Sequence, residues 1–500
     1  MNKKIKFLKP YFYPFLVLVI SLGVYFPFYG SPQSLFWDEN YHVASAQKHI
    51  DGVMYMEPHP PLGKMLMALG ELAFGDNGDV DKSKMLVTDY LTGNDVPTNL
   101  KFTGYRWPSV VMMAISVLFF FGIVNRITRL PWLAAAFSSL VIFDNALVMH
   151  SRAAMLEGIQ LFFILAATYY LVRITTEFLH HQKTILLKHY AILGLLIGLA
   201  IAVKVNAFIL LLLFVVLFLI DQWSTIKKWQ YRKVLSRLIL TVPISIASLL
   251  FIFFAVFYVH IGMGKTIKDN RTYKASEEYQ QQILAGNTWR PKTFVIGMRD
   301  NWKYMSEYAD GVPRLDYCKS DENGSYAMGW PLSSRTISYR WSKDVVEGET
   351  QIYFNYLIGN PIVWLSVLVG IILSSTLILG RFVYKAPIKD QTLFGWICVF
   401  TGLYISYMIA ILQIERVMYL YHYFIPLIFG AINLSLLTTY IYRDELVRFN
   451  RHTLINLGIF IGLIIAIFAF FSPFTYSLGL TEDEFQLRNW FQFWHLRPVY

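Results

Sequence analysis

Asp38 and Glu39 stand side by side in the run Phe36-Trp37-Asp38-Glu39-Asn40-Tyr41-His42, just beyond a hydrophobic stretch that begins near Tyr11. Two carboxylates at a membrane exit can do proton chemistry. One can serve as general base while the other orients a basic group or hydroxyls. Adjacent side chains point in different directions, so divided roles are expected rather than a proton-sharing dyad. The competing use of the pair is a helix start, with Asp38 as N-cap and negative charge at the helix amino terminus.

Three further groups of residues carry charge where chemistry needs it. In His59-Pro60-Pro61-Leu62-Gly63-Lys64 the prolines fix the backbone, and Lys64 is placed to reach a phosphate as a point charge or to snorkel to the interface. The segment Phe143-Asp144-Asn145-Ala146-Leu147-Val148-Met149-His150-Ser151-Arg152, with Glu157 shortly after, puts ionisable groups at a span junction. Charges at membrane depth are costly, so these should face a cavity or one another, Arg152 with Glu157 as an ion pair being the structural option. Lys204 with Asn206, and Glu415 with Arg416, follow the same logic. Tyr421-His422-Tyr423 is less specific, because aromatic belts at membrane interfaces look the same.

The elements that must hold these residues are membrane spans. Of 500 residues 55% are hydrophobic, 17% aromatic and only 15% charged, which describes a lipid-embedded chain. A span needs about 20 apolar residues, and such stretches recur about eleven times, at 11–29, 108–125, 132–149, 156–172, 189–203, 206–220, 238–260, 356–380, 392–412, 417–440 and 453–473. The reading is an all-α multispan membrane protein. Alternate connections are short and basic, which by the positive-inside rule puts the amino terminus in the cytoplasm and an odd count puts the carboxy terminus outside. All the charged groups above then share the outer side with Asp38. The net charge of +11 follows from this topology and from anionic lipid contact, not from nucleic acid binding.

Two outer segments, 30–107 and 261–355, are too long to be turns and are where function is expected. Within the first, Leu62 to Phe74 is predicted to be a short amphipathic helix in the interface plane, starting after Pro60-Pro61. Residues 1–480 read as one catalytic transmembrane domain and 481–500 as an outer tail whose Trp490 and Trp494 suit interfacial docking. The first span lacks a cleavage site and reads as a retained anchor. Cys318 in an outer loop and Cys398 in a span imply no disulfide. Sequons occur at Asn270 and Asn323.

Taken in order, FWDENYH, EPHPPLGKML, FDNALVMHSRAAMLEG, GLAIAVKVNAF, MGWPLSSRTISYRW with GNPIVW, and RVMYLYHYFIPL resemble the successive signature blocks of the protein O-mannosyltransferase family, over residues 36 to 430. The resemblance implies a GT-C type glycosyltransferase fold with a catalytic acid in the first outer loop. It also implies inverting transfer of mannose from a polyprenyl- or dolichyl-phosphate carrier to Ser or Thr hydroxyls of an exported protein as it leaves the translocon, at the outer face of the cell membrane. By matched position Asp38 would be the base, Glu39 would help position acceptor or carrier, and Arg106 would partner Glu39. Lys64, Arg152, Lys204 and Arg416 are candidates for the carrier phosphate, and His59, Glu157 and His422 join them as carrier-binding candidates. The donor is a lipid-linked sugar; its phosphate is already a good leaving group, so a metal is not chemically required.

The sequence departs from the family in places. The second outer loop is too short to hold the MIR domain of eukaryotic members, so the chain resembles the bacterial branch. Glu57-Pro58 stands where the family often has Asp-Val, and Glu157 where Asp is common. Two other readings stay open: a carrier-dependent transferase acting on a lipid or glycan, of the aminoarabinose-transferase kind, and a membrane transporter, for which intramembrane charges would line a pathway.

Overall fold

The computed structural model describes residues 3–181, 183–268, 275–319, 322–346 and 348–497. The sequon at Asn270 lies outside them, while Asn323 is exposed on a loop. The chain forms two units that interleave in sequence: one comprises Phe28–Met113 and Ser151–Val312, the other Met1–Pro27, Ala114–His150 and Pro313–Tyr500.

Among the described residues eight helices are long and apolar enough to cross a membrane, from Thr103–Thr128 to Arg451–Tyr476. The count of eleven is therefore not reached by whole helices. The three remaining expected spans fall on a pair bent by 65°, Pro131–Ile142 with Asn145–Ser151, and on two shorter apolar helices, Tyr11–Tyr25 and Leu187–Val203. The bend sits at Phe143-Asp144, where the buried Asp144 carboxylate accepts from Leu147 N at 2.9 Å, Asn360 N at 3.1 Å and Trp364 Nε1 at 2.7 Å. A buried carboxylate with three donors fixes a break in the apolar run. The chain is a multi-pass membrane protein.

The first unit holds the elements around the acidic motif. After α1 (Lys3–Tyr25), which belongs to the other unit, comes α2 (Glu39–Ile50), then α3 (Leu62–Phe74) and α4 (Thr103–Thr128), of which the first turns lie in this unit. The amphipathic helix has the expected bounds, since Pro61 starts it and Gly75 ends it in extended geometry. It buries Lys64, Met67 and Glu71 and exposes Leu69 and Leu72. Val43, Ala46, Met67, Phe102, Tyr105, Leu156 and Val203 form the core that joins α2, α3 and α4 to the helices at Leu156–His181 and Leu187–Val203. Two glycines permit the crossing of α3 and α4: a Cβ on Gly70 would meet the Gly104 carbonyl at 2.5 Å, and one on Gly104 would strike the Glu71 carboxylate.

In the other unit a β-hairpin, β1 (Ile337–Val346) and β2 (Glu349–Leu357), is extended by β3 (Gly479–Leu480) in an antiparallel sheet. The fold stays mostly helical, and this small sheet is a local addition to it. The expected span from 356 therefore starts later, at Pro361, because Tyr356 and Leu357 belong to the strand. The tail folds onto this sheet: Trp494 is buried with Phe354, Phe471 and Phe485, whereas Trp490 stays 42% exposed. Cys318 and Cys398 are both free thiols.

Candidate active site

Local backbone sets the acidic pair apart. Trp37 sits at φ 54°, a left-handed conformation that costs an L-residue about 1–2 kcal/mol and persists where surroundings enforce it. The chain then turns into α2 with Asp38 at the N-cap position, but the Asp38 side chain makes no cap bond. The helix-start reading of Asp38 loses its main support.

Glu39 is wholly buried and each of its oxygens is engaged. Oε1 accepts from Arg106 Nε at 2.7 Å and from Ala154 N at 2.8 Å; Oε2 accepts from Arg106 Nη2 at 2.8 Å and from Phe36 N at 3.2 Å. Arg106, equally buried, spends its other donors on the carbonyls of Pro32 at 2.8 Å and Ser34 at 3.0 Å, between the rings of Phe36 and Phe102. A bidentate pair with every lone pair and proton used is a rigid clamp. It ties the loop before α2, the start of α4 and the segment at Ala154 to one point. Asp38, by contrast, is only partly buried.

Ala154 is bonded on both sides of the motif. Its amide serves Glu39, and its carbonyl accepts from His42 Nδ1 at 2.8 Å. That bond puts the His42 proton on Nδ1 and its lone pair on Nε2. Burial, then the positive charge of Lys64, lowers the His42 pKa to about 4, so the ring is neutral near pH 7.

A second layer of charge lies behind. Lys64 at the start of α3, with no exposed surface, pairs with Glu57 at 2.9 Å, and Glu57 also accepts from Ser45 of α2. Burial pushes the Glu57 carboxyl up, but Lys64 and His42 outweigh it and hold it below its usual range. Burial pushes Lys64 down, opposed by Glu57. Glu157 accepts from Lys204 Nζ at 2.6 Å, both nearly buried, and Gln160 Nε2 donates to the Lys204 carbonyl and to Asn206, each at 2.7 Å. Burial together with the fields of Lys204 and Lys64 depresses the pKa of His59 well below 6.5.

The structure thus gathers Asp38, Glu39, His59, Lys64, Arg106, Glu157 and Lys204 in one unit. Arg152 lies in the same unit, where its Nη2 donates to the Phe28 carbonyl, and Glu157 is paired with Lys204. Arg416 and His422 belong to the other unit. There Arg416 pairs backbone to backbone with Arg314, and His422 shares a hydrogen bond with the Tyr419 carbonyl and stacks on Tyr421 and Trp330. His42, Ser45, Gln160 and the Ala154 amide carry parts of the site that the sequence reading missed. A lone His in a motif was the only signal for the first, and none marks a backbone amide. Among the described residues no group of three or more His, Cys, Asp and Glu side chains is placed to hold a metal ion.

The unit of the acidic pair also holds an apolar groove of about 490 Å³, lined by Ile201, Phe208, Leu249, Phe253, Phe294 and Trp302, with Arg299 the charged group on its wall. Ile201 and Phe208 flank Lys204 in the chain.

Two family models match this sequence, the dolichyl-phosphate-mannose-protein mannosyltransferase family over residues 15–263 and the C-terminal four TMM region of protein-O-mannosyltransferase over residues 301–494. The chain belongs to the protein O-mannosyltransferase family. Among similar members, the polyprenol-phosphate-mannose--protein mannosyltransferase of Mycolicibacterium smegmatis is 22% identical, the match covering 93% of this chain and 89% of that protein. The protein of the same name from Mycobacterium tuberculosis is also 22% identical, over 87% of this chain and 80% of its own length. The family fold is seen in the Saccharomyces cerevisiae protein O-mannosyltransferase Pmt1-Pmt2 complex bound to the sugar donor, with TM-score 0.79, 15% identity, and coverage of 97% of this chain and 92% of that one. The fold class expected for the protein O-mannosyltransferase resemblance is the fold found.

Proposed function

We propose that this chain is an inverting mannosyltransferase that moves mannose from a polyprenyl-phosphate carrier to a Ser or Thr hydroxyl of a protein, at the outer face of the cell membrane, with Asp38 as general base. The observation that carries the assignment is the division of the acidic pair: Glu39 has both oxygens bound to Arg106 and two backbone amides, while Asp38 stays partly exposed and makes no cap bond.

In the reaction the acceptor oxygen attacks C1 of the mannose, its proton passes to Asp38, and the C1–O bond to the carrier phosphate breaks with its electron pair leaving on phosphate. General-base action of this kind contributes about 10²–10⁴ in rate. The departing phosphate gains charge, which a preorganised cation stabilises. Lys204 and Lys64 are the ammonium groups of the site, and His59 offers a neutral donor between their fields. The isoprenoid chain would lie in the apolar groove past Ile201 and Phe208, the lining residues nearest to Lys204 in sequence, which suits an apolar tail. Glu39 acts through Arg106 and Ala154 as a positioning residue.

The test is transfer of label from radiolabelled polyprenyl-phosphate-mannose to a Ser/Thr-rich peptide in nanodiscs. Wild type should label the peptide, while Asp38→Asn should lose about 10²-fold or more in turnover with donor affinity retained. Unchanged turnover in a folded Asp38→Asn protein removes Asp38 from the chemistry. Label appearing on lipid but never on peptide transfers the reading to a lipid acceptor.

A further inference from the structure

The unit that carries the hairpin has a concave site of its own. A pocket of about 190 Å³ is lined by Glu322, Arg335, Thr336, Tyr356, His495 and Arg497. Its walls come from three separated segments that are stapled together. Arg335 N and Thr336 N donate to the carbonyls of Phe493 and Trp494, each at 2.9 Å, and Thr336 Oγ1 donates to the Trp494 carbonyl at 2.8 Å. Tyr356 donates its hydroxyl to the Arg497 carbonyl at 2.9 Å and accepts from Arg497 N at 3.2 Å. Arg335 and His495 both hold φ 54°, a strained conformation that survives only where neighbours over-determine it. The backbone that carries Arg335, His495 and Arg497 is thus held in place.

The charge is lopsided. Two guanidiniums face one carboxylate, and Glu322 Oε1 already accepts from Gly324 N at 2.6 Å. The Arg335 guanidinium lies 4.0 Å from the Tyr317 ring centroid, and its Nη1 donates to the Glu322 carbonyl at 3.4 Å. That single bond uses one of five donors in a fork whose geometry matches phosphate.

Position selects the source of the anion. Tyr356 lies just ahead of Pro361, where the Pro361–Tyr384 span begins. The tail that supplies His495 and Arg497 leans on the Tyr476 end of the Arg451–Tyr476 span: Trp490 stacks on Phe470 at 5.4 Å and Arg488 covers the same ring at 4.8 Å. Trp490, Phe491 and Phe493 remain exposed on that tail. Exposed aromatic rings at span ends mark the headgroup level of a bilayer. We propose that this pocket binds the phosphate of an anionic phospholipid headgroup, gripped by Arg335 and Arg497, at the shared end of these two spans. The inference is independent of Asp38 and of the transfer reaction.

The experiment uses the full chain in nanodiscs of phosphatidylcholine with and without phosphatidylglycerol, with retained lipid counted by native mass spectrometry. Wild type should retain phosphatidylglycerol over phosphatidylcholine, and Arg335→Gln and Arg497→Gln should each lower that preference about fivefold, the worth of one basic side chain at an anionic surface. Arg497→Lys should keep most of it. If Arg335→Gln does not fold, Arg497→Gln on the exposed tail carries the test alone. An unchanged preference in Arg497→Gln overturns the proposal. So does a gain in melting temperature on adding inorganic phosphate to phosphatidylcholine discs that equals the gain on including phosphatidylglycerol, because the pocket then takes a free anion rather than a headgroup.

Discussion

Arg106 meets Glu39 through two nitrogens, at 2.7 and 2.8 Å, with both side chains wholly buried. The pair lies 67 residues apart in sequence, so it closes the whole first loop onto the start of α4. Its effect on Asp38 is indirect: fixing Glu39 also holds the adjoining backbone from which Asp38 projects.

Breaking one side of this clamp should be worse than removing both. Arg106→Ala leaves a buried carboxylate with two amide donors and no countercharge, at a cost of roughly 3–5 kcal/mol. Glu39→Leu with Arg106→Met replaces the pair by apolar groups of similar size and should recover much of that stability. Melting temperatures in detergent measure both, and Asp38→Asn should melt like wild type. If Arg106→Ala also melts like wild type, the pair is not the anchor described.

Lys204 has two possible duties, partner of Glu157 and ligand of the donor phosphate, and a double-mutant cycle separates them. Lys204→Met should raise the donor KM roughly tenfold to a hundredfold, the worth of one charge-assisted hydrogen bond. Glu157→Gln should do less. If the double variant Lys204→Met with Glu157→Gln binds donor like wild type, Lys204 was only balancing a buried charge.

Much of this was legible in the sequence, for identifiable reasons. Long apolar runs have no other explanation than lipid, and Pro60-Pro61 before an amphipathic stretch leaves α3 one place to start. The hairpin was not legible. Tyr356, Leu357 and Ile358 are apolar residues next to an apolar helix, and only Asn360, whose side chain accepts from Ile362 N at 3.1 Å, marks the boundary. The pairing of Glu157 with Lys204 was equally hidden: 47 residues separate the two, and the end of the Leu187–Val203 helix delivers Lys204 to it. Pairing between separate helices is a tertiary fact, and spacing along the chain does not encode it.

The buried histidines should make the fold acid-sensitive. His42 takes its proton near pH 4 in the folded chain and near its ordinary 6.5 when unfolded. Its pKa is depressed, so the stability it contributes is complete above about pH 6.5 and is lost as pH falls from there toward about 4, by at most ~1.4 kcal/mol per pH unit. His59 shifts in the same direction. Melting temperature should fall between pH 7 and pH 5, and His42→Gln should flatten the slope. A slope identical in wild type, His42→Gln and His59→Gln would assign the acid sensitivity elsewhere.

The crossing of α3 and α4 offers a test in which two principles predict opposite signs. Replacing a helical glycine by alanine normally stabilises by about 0.5–1 kcal/mol. At Gly458, in the Arg451–Tyr476 helix, an added Cβ meets nothing within 4 Å, so Gly458→Ala should be neutral or stabilising. At Gly70 the added Cβ meets the Gly104 carbonyl and the ring of Pro108, both rigid. Overpacking of that kind costs roughly 1–3 kcal/mol and exceeds the propensity gain. Because Lys64 rides on α3 and Arg106 follows Gly104 by two residues, separating these helices also pulls the phosphate candidate from the clamp. Gly70→Ala should therefore lower both melting temperature and transfer rate. A Gly70→Ala protein that melts at or above the wild-type temperature would mean that α3 and α4 do not cross this closely.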